Sequence, residues 1–152
     1  MKPHAGRTAQ AAQRMQHEAF TPGHLLLFDG VCNLCNGLVR FIIRHDRKAM
    51  FRFAPLQSPY AARILAGYAN LPNSPDTLVY LRHGQPLERS TAALYIARDL
   101  GWPWRAAFIL IPLPRMLRDA IYNLVARNRY RWAGRRQRCM VPGPEIRDRF
   151  VA

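Results

Sequence analysis

Residues 24–101 alternate between short strand-like apolar runs and longer stretches with helical spacing. The first run, residues 25–28, is continuously apolar and ends at Asp29 and Gly30, which is typical of a strand buried on both faces. In the stretch that follows, apolar residues recur every three or four positions with arginines between them, which predicts a helix. The same patterns predict, in order, a strand over 51–54, a helix over 57–69, a hairpin over 77–88 and a helix over 90–100 that is capped by Ser90 and Thr91 and ended by Gly101.

This order of elements predicts an α/β fold with a thioredoxin-like βαβαββα core. The first strand, helix and second strand make a right-handed crossover, and the later hairpin supplies antiparallel strands. The first turn lacks the GxGxxG pattern of a doubly wound dinucleotide-binding fold. We predict a core domain over 23–101, a flexible tail over 1–22, and a helical, basic extension over 102–152 that packs on the core.

The extension contains two apolar segments separated by a break at Pro112 and Pro114. The spacing predicts a short helix over 104–111 and an amphipathic helix over 115–128. We expect their apolar side chains to form core, and a helix that lies on a membrane surface is the less favoured alternative. The residues in question are Trp102, Trp104, Phe108, Ile109, Leu110, Leu117, Ile121, Leu124 and Val125.

The charge balance is strongly basic, with 23 Lys and Arg against 9 Asp and Glu and a net charge of +14. Such a balance attracts nucleic acid, anionic lipid or acidic partners, although a GC-rich genome also favours arginine codons. The sequence shows neither an apolar run of membrane-spanning length nor the apolar stretch of a secretion signal. We therefore expect a soluble, cytoplasmic protein.

Arginines cluster between residues 127 and 138, where Tyr130 and Trp132 are interleaved with them. Aromatic rings that stack on bases beside phosphate-binding arginines are one way to bind nucleic acid. Because no nucleic-acid-binding motif accompanies the charge, we favour a solvated tail whose aromatic residues anchor it to the domain. Cys139 lies in the same region and is either a third redox thiol or a small packed residue.

The segment FDGVCNLC places Cys32 and Cys35 three residues apart where the first strand turns into the first helix. That spacing at a helix start brings two sulfur atoms within disulfide reach. The helix N-terminus favours a thiolate at the first position, whereas the second position is one turn inside and is expected to be more buried. We therefore predict that Cys32 is the nucleophile and Cys35 the resolving thiol.

Asp29 supports two interpretations. It can accept the proton of Cys35 when that thiol attacks a mixed disulfide, or it can simply close the turn through backbone hydrogen bonds. A zinc site would need two more ligands, for which the sequence offers Cys139 and a histidine but no second CxxC pair. The candidate histidines are His24, His45 and His83. We favour redox chemistry and expect neither a metal nor a bound cofactor.

FDGVCNLC resembles the DxxCxxC signature of the DCC family, thiol-disulfide oxidoreductase-like proteins with a thioredoxin-like fold. The stretches DTLVYLRHGQPLERSTAALYIARDLG and RNRYRWAGRRQRC are also similar to that family, so the resemblance covers about residues 24–150. It implies thiol–disulfide exchange, with Asp29, Cys32 and Cys35 in the signature positions.

Thioredoxins place a cis-proline directly before the third strand, where it pairs with the substrate chain. Here the corresponding residues are Pro75, Asp76 and Thr77, so the proline lies two residues earlier. We expect Asp76 and Thr77 to face the thiols, and a shifted role for Pro75 is the alternative.

The predicted function is electron exchange between the dithiol and the disulfide of a protein or a low-molecular-weight thiol, with an external reductant or oxidant that resets the pair. The alternative is a non-enzymatic binding module whose arginine-rich surface holds nucleic acid or an acidic partner. In that case the CxxC pair is sensory or vestigial.

Overall fold

The computed structural model describes residues 23–68, 71, 78–138 and 141–151. The predicted tail over 1–22, the residues Pro75, Asp76 and Thr77, and Cys139 lie outside these ranges. The order of elements confirms the predicted βαβαββα arrangement. The elements are β1 (His24–Phe28), α1 (Asn33–His45), β2 (Arg52–Pro55), α2 (Pro59–Ala66), β3 (Val79–Arg82), β4 (Gln85–Glu88), α3 (Arg89–Leu100), a 3₁₀ segment (Trp104–Leu110), α4 (Arg115–Ala133) and a 3₁₀ turn (Arg147–Arg149).

The strands form one mixed sheet in the order β2-β1-β3-β4. Strand β1 is central: Leu26 pairs in parallel with Phe53 of β2 and antiparallel with Tyr80 of β3. Strands β3 and β4 form the predicted hairpin. Its two turn residues, His83 and Gly84, have φ of 48° and 79°, the left-handed pair that a tight hairpin turn requires. The fold is therefore the predicted α/β class with a thioredoxin-like arrangement.

Both faces of β1 are buried, as its continuous apolar run predicts. Leu25 and Leu27 pack with α2 on one face of the sheet. Leu26 and Phe28 pack with α1 and α3 on the other. None of the four side chains has exposed surface. The end of β1 is therefore held firmly in the core, and it fixes where the following turn begins.

Helix α3 begins at Arg89, with Glu88 as its N-cap and no side-chain capping bond. The prediction that Ser90 and Thr91 cap this helix is therefore wrong. Ser90 lies inside the first turn, and its hydroxyl donates a hydrogen bond to the carboxylate of Asp119 on α4. The side chain that looked like a cap instead joins two helices. Gly101 ends α3 with φ of 85°, as predicted.

The apolar residues of the extension are mostly exposed, so the prediction that they form core is wrong for most of them. Helix α4 also continues past Asn128 to Ala133. Trp104 and Phe108 pack against other rings, those of Phe41 and Tyr95 respectively. The exposed members of the predicted set are Trp102 (78%), Ile109 (80%), Leu110 (47%), Leu117 (52%), Ile121 (60%), Leu124 (59%) and Val125 (38%).

The physical reason is that α4 binds the domain through its polar side, which turns its apolar residues outward. Among the helices of the described ranges, none combines the length and the apolar content that a membrane-spanning segment needs.

Candidate active site

The two cysteines lie at the start of α1, where the buried end of β1 turns into the helix. Cys32 is the N-cap residue, with an extended backbone, and its Sγ accepts a hydrogen bond from the backbone amide of Cys35 at 3.4 Å. Both thiols are free. The start of α1 therefore supplies two neighbouring free thiols, linked through the bond from the Cys35 amide to Sγ of Cys32.

The exposure of the two thiols is the reverse of the expected order. Cys32 has no exposed surface, whereas Cys35 is partly exposed. The expectation that Cys35 is the more buried thiol is wrong. Burial, and after it the neighbouring Cys32, nevertheless raises the pKa of the Cys35 thiol to about 12. At neutral pH the accessible thiol is thus almost wholly protonated.

A short segment that begins with the last residue of α4, residues 133–136, lies beside buried Cys32, and we call it the strap. The strap pairs with the backbone on both sides of Cys32. The amide of Arg136 donates to the carbonyl of Val31 at 2.7 Å, and the amide of Asn33 donates to the carbonyl of Gly134 at 3.3 Å. The strap thus forms an antiparallel bridge with Cys32, whose side chain has no exposed surface.

The side chain of Asn33 holds the strap in the same place. Its Nδ2 donates to the carbonyl of Ala133 at 2.9 Å, and its Oδ1 accepts from Nε of Arg136 at 2.8 Å. Arg135 is the strap residue paired opposite Cys32. Asn33 therefore joins the start of α1 to residues about a hundred positions away in the chain.

Asp29 is buried at the end of β1 and accepts hydrogen bonds at both oxygens. Its Oδ1 accepts from the Val31 amide at 3.1 Å and from Nε2 of Gln57 at 2.8 Å. Its Oδ2 accepts from the Tyr130 hydroxyl and lies 3.5 Å from the guanidinium of Arg129. Burial opposes ionisation, but the hydrogen bonds from Tyr130 and Gln57 outweigh it and lower the pKa of Asp29. The group is therefore a carboxylate at neutral pH.

The bond from Val31 to Asp29 confirms that Asp29 closes the strand-to-helix turn. Its role as a proton acceptor for Cys35 stays a prediction. Both residues line one pocket of about 240 Å³ between α1 and α4, whose walls are mainly apolar and include Leu38 and Val125. A disulfide that reaches Cys35 therefore meets an apolar surface beside the buried ion pair of Asp29 and Arg129.

Three residues of this site escaped sequence reasoning: Gln57, Arg129 and Tyr130. Tyr130 is an aromatic anchor of the arginine-rich segment, as predicted, and its anchor point is Asp29. Arg129 was expected to be solvated, but it is buried and paired with Asp29. The sequence does contain one indication of this contact: an aromatic residue within a basic segment is expected to pack on the domain. The sequence does not indicate which residue it contacts.

Among the residues that the structure describes, no group of three or more histidine, cysteine or acidic side chains is arranged to hold a metal ion. Two of the candidate zinc ligands have other partners. His24 contacts the Tyr80 hydroxyl at 2.6 Å, and His45 contacts the Phe41 carbonyl at 2.8 Å. The candidate substrate-docking residues Pro75, Asp76 and Thr77 and the candidate third thiol, Cys139, lie outside the described ranges and stay predictions.

A family match and two similar proteins point to the same family. Residues 26–135 match the family described as DCC1-like thiol-disulfide oxidoreductase. The uncharacterized protein YuxK of Bacillus subtilis is 41% identical over 130 residues, which cover 86% of this chain and 95% of that protein. A chloroplastic DCC family protein of Arabidopsis thaliana is 38% identical over 116 residues, which cover 76% of this chain and 67% of that protein. No solved structure matches the chain significantly.

The contact between Tyr130 and Asp29 predicts a pH-dependent loss of stability in Tyr130→Phe. We expect the free energy of unfolding to fall by about 1.5–3 kcal/mol at neutral pH, because the hydroxyl donates to a buried carboxylate. The folded-state pKa of Asp29 is lowered, so the stabilisation is present above the ordinary value of 3.8 and is lost as the pH falls below it. Urea unfolding at neutral pH and at about pH 3 should therefore show the difference from wild type shrinking.

Tyr68→Phe is the matched control, because the Tyr68 hydroxyl donates to the neutral carbonyl of Gly84. Its cost should be the same at both pH values. A cost of Tyr130→Phe that does not change with pH would contradict the contact with an ionised carboxylate.

The strap predicts that Asn33→Ala exposes Cys32. The substitution removes both side-chain bonds to the strap, and we expect the alkylation rate of Cys32 to rise about five- to tenfold. The rate is measured with iodoacetamide in a background in which Cys35 and Cys139 are serine. Asn128→Ala, which removes an exposed side-chain bond to a backbone carbonyl on α4, is the control and should leave the rate unchanged. An unchanged rate in Asn33→Ala would mean that the strap does not limit access.

Proposed function

Because this chain belongs to the DCC1-like thiol-disulfide oxidoreductase family, we propose that it exchanges electrons between the Cys32–Cys35 dithiol and a disulfide of a protein or a small molecule. The observation that carries the proposal is the pair of free thiols at the start of α1, in which Sγ of Cys32 accepts the backbone amide of Cys35 and Cys35 opens into a pocket. The family name supports the class of reaction, and the geometry supports the assignment of the two cysteines.

The proposed exchange has two steps. The Cys32 thiolate attacks one sulfur of the substrate, the substrate S–S bond breaks, and the other sulfur leaves as a thiolate that takes up a proton. Cys35 then loses its proton and attacks Sγ of Cys32, which forms the Cys32–Cys35 disulfide and releases the second substrate sulfur. The substrate gains two electrons and two protons, which the dithiol supplies. The reverse sequence oxidises a substrate, and an external thiol or disulfide resets the pair.

Cys32 is the attacking thiol in this proposal because a negative sulfur is better stabilised at its position. It caps α1, and its Sγ already accepts the Cys35 amide. The Cys35 thiol is more accessible, but its raised pKa leaves little thiolate at neutral pH. The strap must move away from Cys32 before attack, so the proposed reaction begins with a local opening of residues 133–136.

Asp29 is the proposed acceptor of the Cys35 proton in the second step. It is ionised, and it lines the same pocket as Cys35. Its negative charge also raises the pKa of Cys35, although burial and Cys32 contribute more. These two effects act in opposite directions on the second step, so the sign of the rate change in Asp29→Asn shows which effect is larger.

The proposal predicts which single-cysteine variant traps a substrate. In a Cys139→Ser background, Cys35→Ser should accumulate a mixed disulfide with glutathione through Cys32, because the resolving thiol is absent. Mass spectrometry of the intact protein after exposure to glutathione disulfide detects the adduct. Cys32→Ser is the matched variant and should form little adduct.

Two results would count against this assignment. An adduct in Cys32→Ser and not in Cys35→Ser would make Cys35 the attacking thiol. An adduct in neither variant, together with no disulfide reductase activity in the wild type, would favour the binding-module alternative.

The proton-acceptor role predicts that Asp29→Asn prolongs the mixed disulfide. In protein that retains Cys32 and Cys35, we expect the second step to slow at least about tenfold, because general-base help of this kind typically contributes more than that. Rapid mixing of the reduced protein with glutathione disulfide, followed by acid quench at graded times and mass analysis, measures how long the adduct persists. Tyr130→Phe keeps the carboxylate and should change the lifetime far less. A shorter lifetime in Asp29→Asn would show that Asp29 acts only by raising the pKa of Cys35.

A further inference from the structure

Helix α4 binds the rest of the protein through polar side chains. The carboxylate of Asp119 accepts from the Ser90 hydroxyl, and the Tyr122 hydroxyl accepts from the Leu78 amide at 3.1 Å. One turn before the end of the helix, Tyr130 donates to Asp29. A surface helix of a globular protein usually buries an apolar stripe and exposes its polar side. In α4 the arrangement is reversed.

The outer side of α4 carries several large apolar residues, with Asn128 between the aliphatic ones and Trp132. At 3.6 residues per turn, the members of the stripe fall within an arc of about 80°. We call this set the outer stripe: Leu117 (52% exposed), Ile121 (60%), Leu124 (59%) and Trp132 (62%). Single exposed apolar residues are normal on protein surfaces, whereas a contiguous set marks a surface that binds something.

The segment that leads into α4 adds to the exposed apolar surface. Trp102 is 78% exposed, Ile109 is 80% exposed, and Met116 at the start of the helix is 87% exposed. These residues precede the outer stripe directly in the chain. The region therefore combines two exposed tryptophans, Trp102 and Trp132, with branched aliphatic side chains, which is the composition that settles at the boundary between lipid headgroups and acyl chains.

The charges beside the outer stripe are positive. Arg127 and Arg131 are exposed and border it on one side. The one acidic residue of α4, Asp119, lies on the inner side, where it is bound to Ser90. With a net charge of +14 for the whole chain, a second copy of this protein is repelled and an anionic surface is attracted. Nucleic acid would match the arginines but offers nothing to Leu117, Ile121 and Leu124.

We propose that α4 docks on the surface of an anionic phospholipid bilayer. The outer stripe enters the boundary between headgroups and acyl chains, and Arg127 and Arg131 bind lipid phosphates. The helix lies in the plane of the membrane and does not cross it. Its inner side keeps its bonds to Ser90, Leu78 and Asp29, so docking requires no refolding of the domain.

The test is sedimentation of the full chain with two kinds of vesicle, one of phosphatidylcholine alone and one that also contains phosphatidylglycerol. We expect binding to the anionic vesicles, weakened by added salt, and little binding to phosphatidylcholine. Leu124→Gln should lower the partition coefficient about five- to tenfold. Val141→Gln, which changes an apolar residue that is 83% exposed outside α4, is the matched control and should leave the coefficient unchanged.

Arg127→Gln combined with Arg131→Gln should reduce the partition coefficient about tenfold or more and lessen its salt dependence. Because these positions are exposed, thermal unfolding should show the variants to be as stable as the wild type. Equal binding to both vesicles, binding unaffected by Leu124→Gln, or no binding would each overturn the proposal. A dimer in sedimentation velocity that Leu124→Gln dissociates, without vesicle binding, would assign the outer stripe to a second copy.

Discussion

The structure of the site depends on one buried carboxylate. Asp29 ends the central strand, closes the turn that leads to Cys32, and receives the side chains of Tyr130 and Arg129 from the far end of α4. An ionised group that is largely removed from water is tolerated only when its oxygens are hydrogen-bonded and its charge is paired. These bonds hold the end of α4 in place, and the strap that pairs with Cys32 begins there. The position of the dithiol and the position of α4 therefore depend on the same bonds to Asp29.

The parts of the fold that sequence predicts well are those in which local pattern and burial agree. Residues 25–28 are continuously apolar, and only a central strand buries such a run on both faces. The hairpin follows from the turn residues His83 and Gly84, whose positive φ values a tight turn requires. The dithiol follows from the spacing of Cys32 and Cys35 at a strand-to-helix turn. In each case the relevant contacts lie within a few residues.

The predictions that failed needed information from distant residues. Periodicity shows that α4 has an apolar side, but it does not say whether that side faces the sheet. The answer came from Ser90 and Asp29, which bind the polar side. The strap likewise pairs with Cys32 from the other end of the chain, a contact that no local pattern indicates. A short motif predicts chemistry, whereas access to the reacting atom is a property of the whole fold.

If the proposed exchange is correct, Cys32 and Cys35 behave as a single two-electron couple. Equilibration of the Cys139→Ser protein in glutathione buffers of graded ratio, followed by acid quench and mass analysis, measures this directly. The expected result is an intramolecular Cys32–Cys35 disulfide that replaces the dithiol in one transition, with little glutathione adduct. Glutathione adducts that accumulate at both cysteines, with no intramolecular disulfide at any ratio, would contradict the proposed dithiol exchange.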